Sequence, residues 1–365
     1  MKESLVIDLD PAKLSQDKEE FKRFLSVISA MELYSIEATK YMEKMEQDFQ
    51  KIDGKYISKL SFNYKDRIKK IKDSITHNQN LLNQIIKIYK PPPSFYEGID
   101  QEEIKIARFE EGKYIYNIFT YLLRDWTVER KKERQENYDI IISEVLKYFP
   151  SSCEASKSYK FLIPGSALNR LGYELYKYGF DVEGNDYLFL NGIFTDFIFN
   201  HTHKNEFTFY PFIDSFSNHY TEDSVFRKYS FPEIDVDLNN KSAGKLKIYI
   251  GDFLTLYDNM KDYYDCIITC FFIDTAQNVI EYIDIIHRLL KKDGIWINFG
   301  PLSYHWSEDY DSISIELPYD KLKEVICNYG FKYLNESTRN CSFGFVDDYM
   351  HNDLFTCINF TVKKN

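Results

Sequence analysis

The hydrophobic pattern changes period near Pro150, and this change limits the available folds more than any other feature. Beyond it, short apolar runs alternate with helical stretches. Residues 160–165 form an apolar run ending at Gly165, and 168–179 read as a helix closed by Gly179. Further strands are predicted at 180–186, 246–252 and 264–273. A helix at 278–290 turns through Lys292, Asp293 and Gly294 into a strand at 295–299. A helix at 318–328 then precedes two strands, 331–334 and 355–362. Strands separated by helices build βαβ units and a mostly parallel sheet, so the fold class is α/β. The last two strands have no helix between them, which predicts an antiparallel ending. Residues 191–245 form a polar and aromatic insertion, long enough to be functional or disordered.

The first 150 residues keep the helical period. Phe21, Phe24, Leu25, Ile28 and Met31 place one apolar stripe on a helix over 18–51. Ile68, Ile71, Ile75, Leu82 and Ile85 mark a second helix, which Pro91, Pro92 and Pro93 end by withholding amide donors. A third run, 114–148, carries Ile118, Tyr121, Leu122 and Trp126 on one face. The chain of 365 residues therefore divides into an N-terminal helical domain, 1–150, and an α/β domain, 151–365, that carries the insertion.

Composition narrows the function. A net charge of −11 argues against a non-specific nucleic-acid binder, although the basic residues of 65–72 and 130–132 could touch phosphates. No apolar run is long enough to span a bilayer, and the acidic N-terminus lacks a signal peptide's apolar stretch. The expected location is the cytosol, with the nucleus also open. The cysteines (Cys153, Cys266, Cys270, Cys327, Cys341 and Cys357) include no C-x-x-C pair, so reduced thiols are expected rather than a disulfide framework or a zinc site. His201 and His203 have no further ligand at a familiar spacing, and no metal is expected.

A cofactor turn is harder to place, because the chain has only 14 glycines. Gly165, Ser166, Ala167, Leu168 and Asn169 link a strand to a helix, and Asp186 ends the next strand about 20 residues on, where a ribose-binding acid is expected. One glycine leaves two readings open, a nucleotide-binding turn or a structural turn. A dinucleotide would favour a fuller glycine pattern, since its pyrophosphate sits on the turn. S-adenosylmethionine carries no phosphate and tolerates small side chains there. Asp252 would then hold the adenine amino group, with Phe253 against the ring. An antiparallel last strand also suits a methyltransferase better than a dehydrogenase.

The turn with Pro164, Arg170 and Leu171 belongs to an ordered set of motifs. Glu183 to Asp186 follows, then Tyr210, Pro211, Phe212 and Ile213 with Phe216, Ser217 and Asn218. Phe231 to Asp235 and Gly251, Asp252 and Phe253 come next. Then come Asp265 and Cys266, the run from Cys270 to Ala276, Asn278 to Tyr282, and Trp296 to Leu302 with Tyr304 and His305. With Phe24 to Tyr34 and Arg124, Asp125 and Trp126, this set resembles the carnosine N-methyltransferase family over nearly the whole chain. The resemblance implies a class I methyltransferase (Rossmann-like) fold, a mostly parallel seven-stranded sheet behind an N-terminal helical domain. It implies that S-adenosylmethionine is the cofactor, leaving S-adenosylhomocysteine, and that the imidazole of carnosine is methylated to give anserine. Its cofactor positions fall on Arg124, Gly165, Asp186, Asp252, Phe253, Cys270 and Phe271. Tyr121 stands where the family has a glutamine contact. Arg124 would reach the methionine carboxylate, which a guanidinium fork suits.

Methyl transfer needs an in-line nucleophile, and positioning supplies much of the catalysis. A carboxylate that accepts the imidazole N–H selects the tautomer and stabilises the imidazolium product. The resemblance gives Asp274 this role and gives His305 a substrate contact. By itself, Asp274 also suits an N-cap for the helix that follows. With the final strand aligned on Cys357, Phe343, Asp353 and Phe355 stand where the family carries substrate-facing tyrosines, and Tyr349 lies nearby. A site built around a hydroxyl contact discriminates strongly when that contact changes. The acceptor class is therefore an imidazole, in carnosine, another histidine-containing peptide or protein histidine. A catalytically silent S-adenosylmethionine-binding scaffold and an RNA methyltransferase are the alternatives. Similar enzymes suggest a homodimer.

Overall fold

The computed structural model describes residues 5–7, 9–150, 158–213, 216–239, 244–343 and 349–365. The N-terminal region contains β1 (Leu5–Val6), a short turn α1 (Pro11–Leu14), α2 (Lys18–Gln50), a second short turn α3 (Gly54–Ile57), α4 (Tyr64–Tyr89), α5 (Gln101–Trp126) and α6 (Lys131–Tyr148). Asp17 starts α2 by accepting the Glu19 and Glu20 amides, and the expected stripe from Phe21 to Met31 is buried against α4 and α5. Lys90 leaves α4 in extended backbone ahead of the three prolines. The third run is two helices rather than one. Thr127 is extended, and its hydroxyl donates to the Leu123 carbonyl, which ends α5 after Trp126.

The second region runs β2 (Lys160–Pro164), α7 (Arg170–Tyr176), β3 (Asp181–Asp186), α8 (Phe189–Asn200), β4 (Phe207–Phe209), α9 (Glu222–Val225), β5 (Tyr229–Phe231) and β6 (Leu246–Ile250). It continues with α10 (Phe253–Leu256), β7 (Tyr264–Cys270), α11 (Val279–Leu289), β8 (Leu290–Gly300), α12 (Tyr319–Asn328), β9 (Phe331–Phe343) and β10 (Asp353–Lys364). The sheet order is β1-β6-β3-β2-β7-β8-β10-β9. All neighbours are parallel up to β8, and β10 then runs antiparallel between β8 and β9, as expected. The sheet has eight strands where seven were expected. The extra one, β1, comes from the N-terminal end and pairs with β6, so the first residues belong to the sheet.

Alternate residues face opposite sides of a strand, and the core divides accordingly. Phe161, Ile163, Ile268 and Ile297 join the core beneath α2 to α6, while Leu162, Ile267 and Trp296 pack under α11 and α12. The insertion is ordered over its described residues. It begins with α8, which packs on α2, α4 and α5 and on β3 and β6, and it includes the antiparallel pair β4–β5. Cys341 and Cys357, diagonal neighbours across β9 and β10, are bonded as a disulfide. This corrects the expectation of reduced thiols for that pair, because hairpin register rather than spacing brings the two together. Cys266, Cys270 and Cys327 are free, and Cys153 lies outside the described residues. Among the described residues, no helix is long and apolar enough to cross a membrane.

Candidate cofactor and acceptor site

β2 has β3 on one side and β7 on the other, and ligands of open α/β sheets collect at the strand ends of such a switch point. Gly165 leaves β2 at φ +65°, and a Cβ there would lie 2.4 Å from Phe272 Cδ2. Ala167 and Asn169 hold left-handed backbone at φ +47° and +52°. That conformation costs an L-residue roughly 1–2 kcal/mol, less for asparagine, so the turn keeps its shape with one glycine. Asn169 is fully buried, and a Cβ at Gly172 or Gly184 would lie 2.2 or 2.8 Å from its Oδ1. The glycine missing from the turn is thus matched by glycines on α7 and β3 that make room for the asparagine. Gly184→Ala should lower the melting temperature, since overpacking costs about 1–3 kcal/mol. Adding Asn169→Gly should recover part of the loss. Differential scanning calorimetry of the single and double variants checks both.

Asp186 ends β3 with its carboxylate engaged. Oδ2 accepts the Ala167 amide at 2.9 Å, and Oδ1 accepts the Leu188 amide and Asn191 Nδ2, both at 3.0 Å. Burial raises this carboxyl above the usual carboxylate range, and the donors oppose the rise. Tyr121 on α5 is raised by burial and feels the charges of Arg124 and Asp186. Arg124 donates from Nε and Nη2 to Asp125, each at 2.8 Å. Burial works against its charge, but Asp125, Tyr138 and Tyr121 together outweigh it. At the end of β7, burial pushes the Cys270 thiol up to about 12, with Arg124 pulling the other way. The helical region and the sheet edge therefore meet at this point.

Phe253 sits in an aromatic wall, 5.5 Å from Phe272 and 5.3 Å from Tyr282, edge to face in both cases. Phe272 stacks on Tyr282 at 4.8 Å. Asp252 is exposed, and its Oδ1 caps α10 by accepting the Leu254 amide at 2.7 Å. The buried Ser166 Oγ and Asn169 amide group have no hydrogen-bond partner among the described residues. A strand-end turn with unpartnered buried polar groups, a buried acid suited to a diol, an aromatic wall and a held guanidinium fit S-adenosylmethionine. In the sequence, Phe272 and Tyr282 fall within the quoted motifs without a site role, and Asn191 only marks the start of the insertion. The only signal for Asn191 is its place in the first turn of the helix after Asp186.

On the acceptor side, Phe271 holds φ +52°, rare for a bulky residue. Its amide donates to the Phe299 carbonyl at 2.8 Å, and its ring lies edge-on to Phe299 and Phe355 at 5.9 and 6.3 Å. Asp274 is buried in a single 3-10 turn. Its Oδ2 accepts the Ser303 amide at 2.9 Å, and its backbone carbonyl accepts the His305 amide at 3.1 Å. Burial raises its pKa, with the Ser303 amide and His305 opposing. The N-cap of α11 is Asn278, which accepts the Ile280 amide, so the capping alternative for Asp274 does not apply. His305 is exposed beside Asp274.

The C-terminal candidates separate. Phe355 joins the Phe271 cluster, while Asp353 sits exposed at the hairpin end, 3.3 Å from His351 Nε2. Phe343 pairs with Asp353 in register, but its side chain lies outside the described residues. Tyr349 meets the insertion, its ring 4.9 Å from His219 and stacked on Phe212 at 6.2 Å. Ser303, which fixes Asp274 through its amide, left no side-chain signal in the sequence.

The carnosine N-methyltransferase family model matches residues 101–365. Carnosine N-methyltransferase of Mus musculus is 33% identical over 359 residues, covering 96% of this chain and 88% of that protein. The Schizosaccharomyces pombe protein of the same name is 30% identical over 349 residues, covering 89% and 91%. Among solved structures the likeness is remote, as with an S-adenosylmethionine-dependent methyltransferase from Methanosarcina mazei at TM-score 0.38 and 11% identity, covering 59% of this chain and 97% of that one. The chain belongs to the carnosine N-methyltransferase family and is an S-adenosylmethionine-dependent methyltransferase.

Proposed function

We propose that the protein methylates a ring nitrogen of carnosine. The observation that carries this reading is Asp274, a buried carboxylate held by the Ser303 amide on the same sheet edge as the cofactor cradle. Bound S-adenosylmethionine supplies a methyl group on an electrophilic sulfonium, so the acceptor needs only an unprotonated nitrogen. Gly165, Asp186, Phe253, Phe272, Tyr121 and Arg124 would hold that cofactor, the acid on its ribose and the guanidinium on its carboxylate. Asp274 accepts the imidazole N–H, which leaves the lone pair of the other nitrogen for the methyl and places a counter-charge beside the imidazolium that forms. The exposed His305 flanks the acceptor.

Phe271 and Phe355 give the acceptor an apolar face, with Phe355 standing where the family carries a substrate-facing tyrosine. Carnosine, homocarnosine, histidine-containing peptides and RNA compared as acceptors test the reading, the peptides by kcat/KM. Carnosine is expected among the preferred acceptors, and a preference confined to RNA would contradict it.

A further inference from the structure

Four consecutive carbonyls at the end of α5, those of Arg124 to Thr127, lack partners within the helix by their position. Each is taken from outside. Arg134 Nη1 donates to the Arg124 carbonyl at 2.6 Å and to the Thr127 carbonyl at 2.8 Å. Arg170 Nη1 donates to the Asp125 carbonyl at 2.9 Å, and the Glu233 amide donates to the Trp126 carbonyl at 2.8 Å. The two arginines converge on one atom: Glu233 Oε1 accepts Arg134 Nη2 at 2.5 Å and Arg170 Nη2 at 2.8 Å. The three side chains are only 5–8% exposed, so solvent screens their charges little.

The three come from different places. Arg134 lies on α6, Arg170 opens α7 directly after the Gly165 turn, and Glu233 belongs to the insertion just after β5. The α5 end that they clamp carries Tyr121 and Arg124. Trp126 adds a second tie to the turn, its indole donating to the Leu168 carbonyl at 3.1 Å. Burial and the neighbouring Arg170 both press against the charge of Arg134 and lower its pKa, and Glu233 and Asp125 oppose them only in part. Without that carboxylate, two buried guanidinium groups would face each other.

We propose that Glu233 is a positioning residue for cofactor binding, which fixes the end of α5 against the start of α7 so that Arg124 and the Gly165 turn address one ligand. It acts through Arg124 rather than by touching the cofactor. The proposal rests on S-adenosylmethionine as the ligand of this pocket.

Isothermal titration calorimetry of the full chain with S-adenosylmethionine tests it, using Glu233→Gln, Arg124→Met and the double variant. Glu233→Gln should weaken binding about tenfold, while kcat at saturating cofactor stays within about twofold. Because the effect passes through Arg124, the double variant should bind about as weakly as Arg124→Met alone. Glu233→Asp, which keeps the charge, should recover most of the affinity. It replaces Glu233→Gln in the cycle if the latter fails to fold, its smaller loss again vanishing in the Arg124→Met background. Unchanged affinity in Glu233→Gln despite a lower melting temperature would overturn the proposal, as would losses that simply add in the double variant. Failure of the wild type to bind would instead overturn the cofactor assignment, and the proposal with it.

Discussion

Asp274→Asn should lower kcat by about two to four orders of magnitude, the range typical of a positioned proton-accepting group, while leaving S-adenosylmethionine affinity within about twofold. Asparagine keeps an oxygen for the Ser303 amide, so the turn should hold its shape. It removes the charge that accepts the acceptor's N–H and balances the imidazolium. The same change should not destabilise the fold. The folded carboxyl is raised by burial, so the folded state binds its proton more tightly than the unfolded chain does. That contribution is fully present below the unfolded carboxyl pKa and is lost as pH rises through the folded value. At neutral pH the ionised group therefore costs stability, and the neutral isostere should melt at the wild-type temperature or higher. Steady-state kinetics and calorimetry on one preparation check both parts. A variant that melts normally and turns over at the wild-type rate would remove Asp274 from the chemistry.

Asp186→Ala should weaken cofactor binding about 100-fold, since hydrogen bonds to a charged group contribute about 1.5–3 kcal/mol each and ribose offers two hydroxyls. An ionised carboxylate has about four acceptor sites, and the Ala167 and Leu188 amides, Asn191 and the Tyr187 amide all address them. The ribose hydroxyls must share these sites or displace Asn191. The alanine variant also frees the Ala167 amide, which loosens the turn. Calorimetric titration measures the loss, and kcat at saturating cofactor should fall much less than affinity. Unchanged affinity would place the ribose contact elsewhere.

The pattern of periods revealed the architecture because the central parallel strands are short apolar runs, buried on both faces and separated by helical stretches. Elsewhere the pattern was less informative. α8 merges with the insertion in the sequence pattern because Phe189, Leu190, Ile193, Phe194, Phe197 and Ile198 are buried around it, which leaves no amphipathic stripe to detect. β9 runs to Phe343 rather than ending near Leu334, because its residues from Asn335 to Asn340 are polar and its order comes from pairing with β10. The site residues that stand beside a strand end, such as Gly165, Asp186 and Asp274, were legible from chain order and the family resemblance together. The glycines that accommodate Asn169 and the carboxylate shared by Arg134 and Arg170 were not. Those contacts join residues far apart in the chain, and no local spacing encodes them.

The decisive measurement is the position of methyl transfer when the purified protein is given S-adenosylmethionine with carnosine or with carnosine already methylated on its ring. Mass spectrometry detects the product and NMR locates the methyl group. Carnosine should gain one methyl on an imidazole nitrogen, and the ring-methylated peptide should gain none. A methyl group on the β-alanyl amine, or equal transfer to the ring-blocked peptide, would contradict an imidazole acceptor held by Asp274.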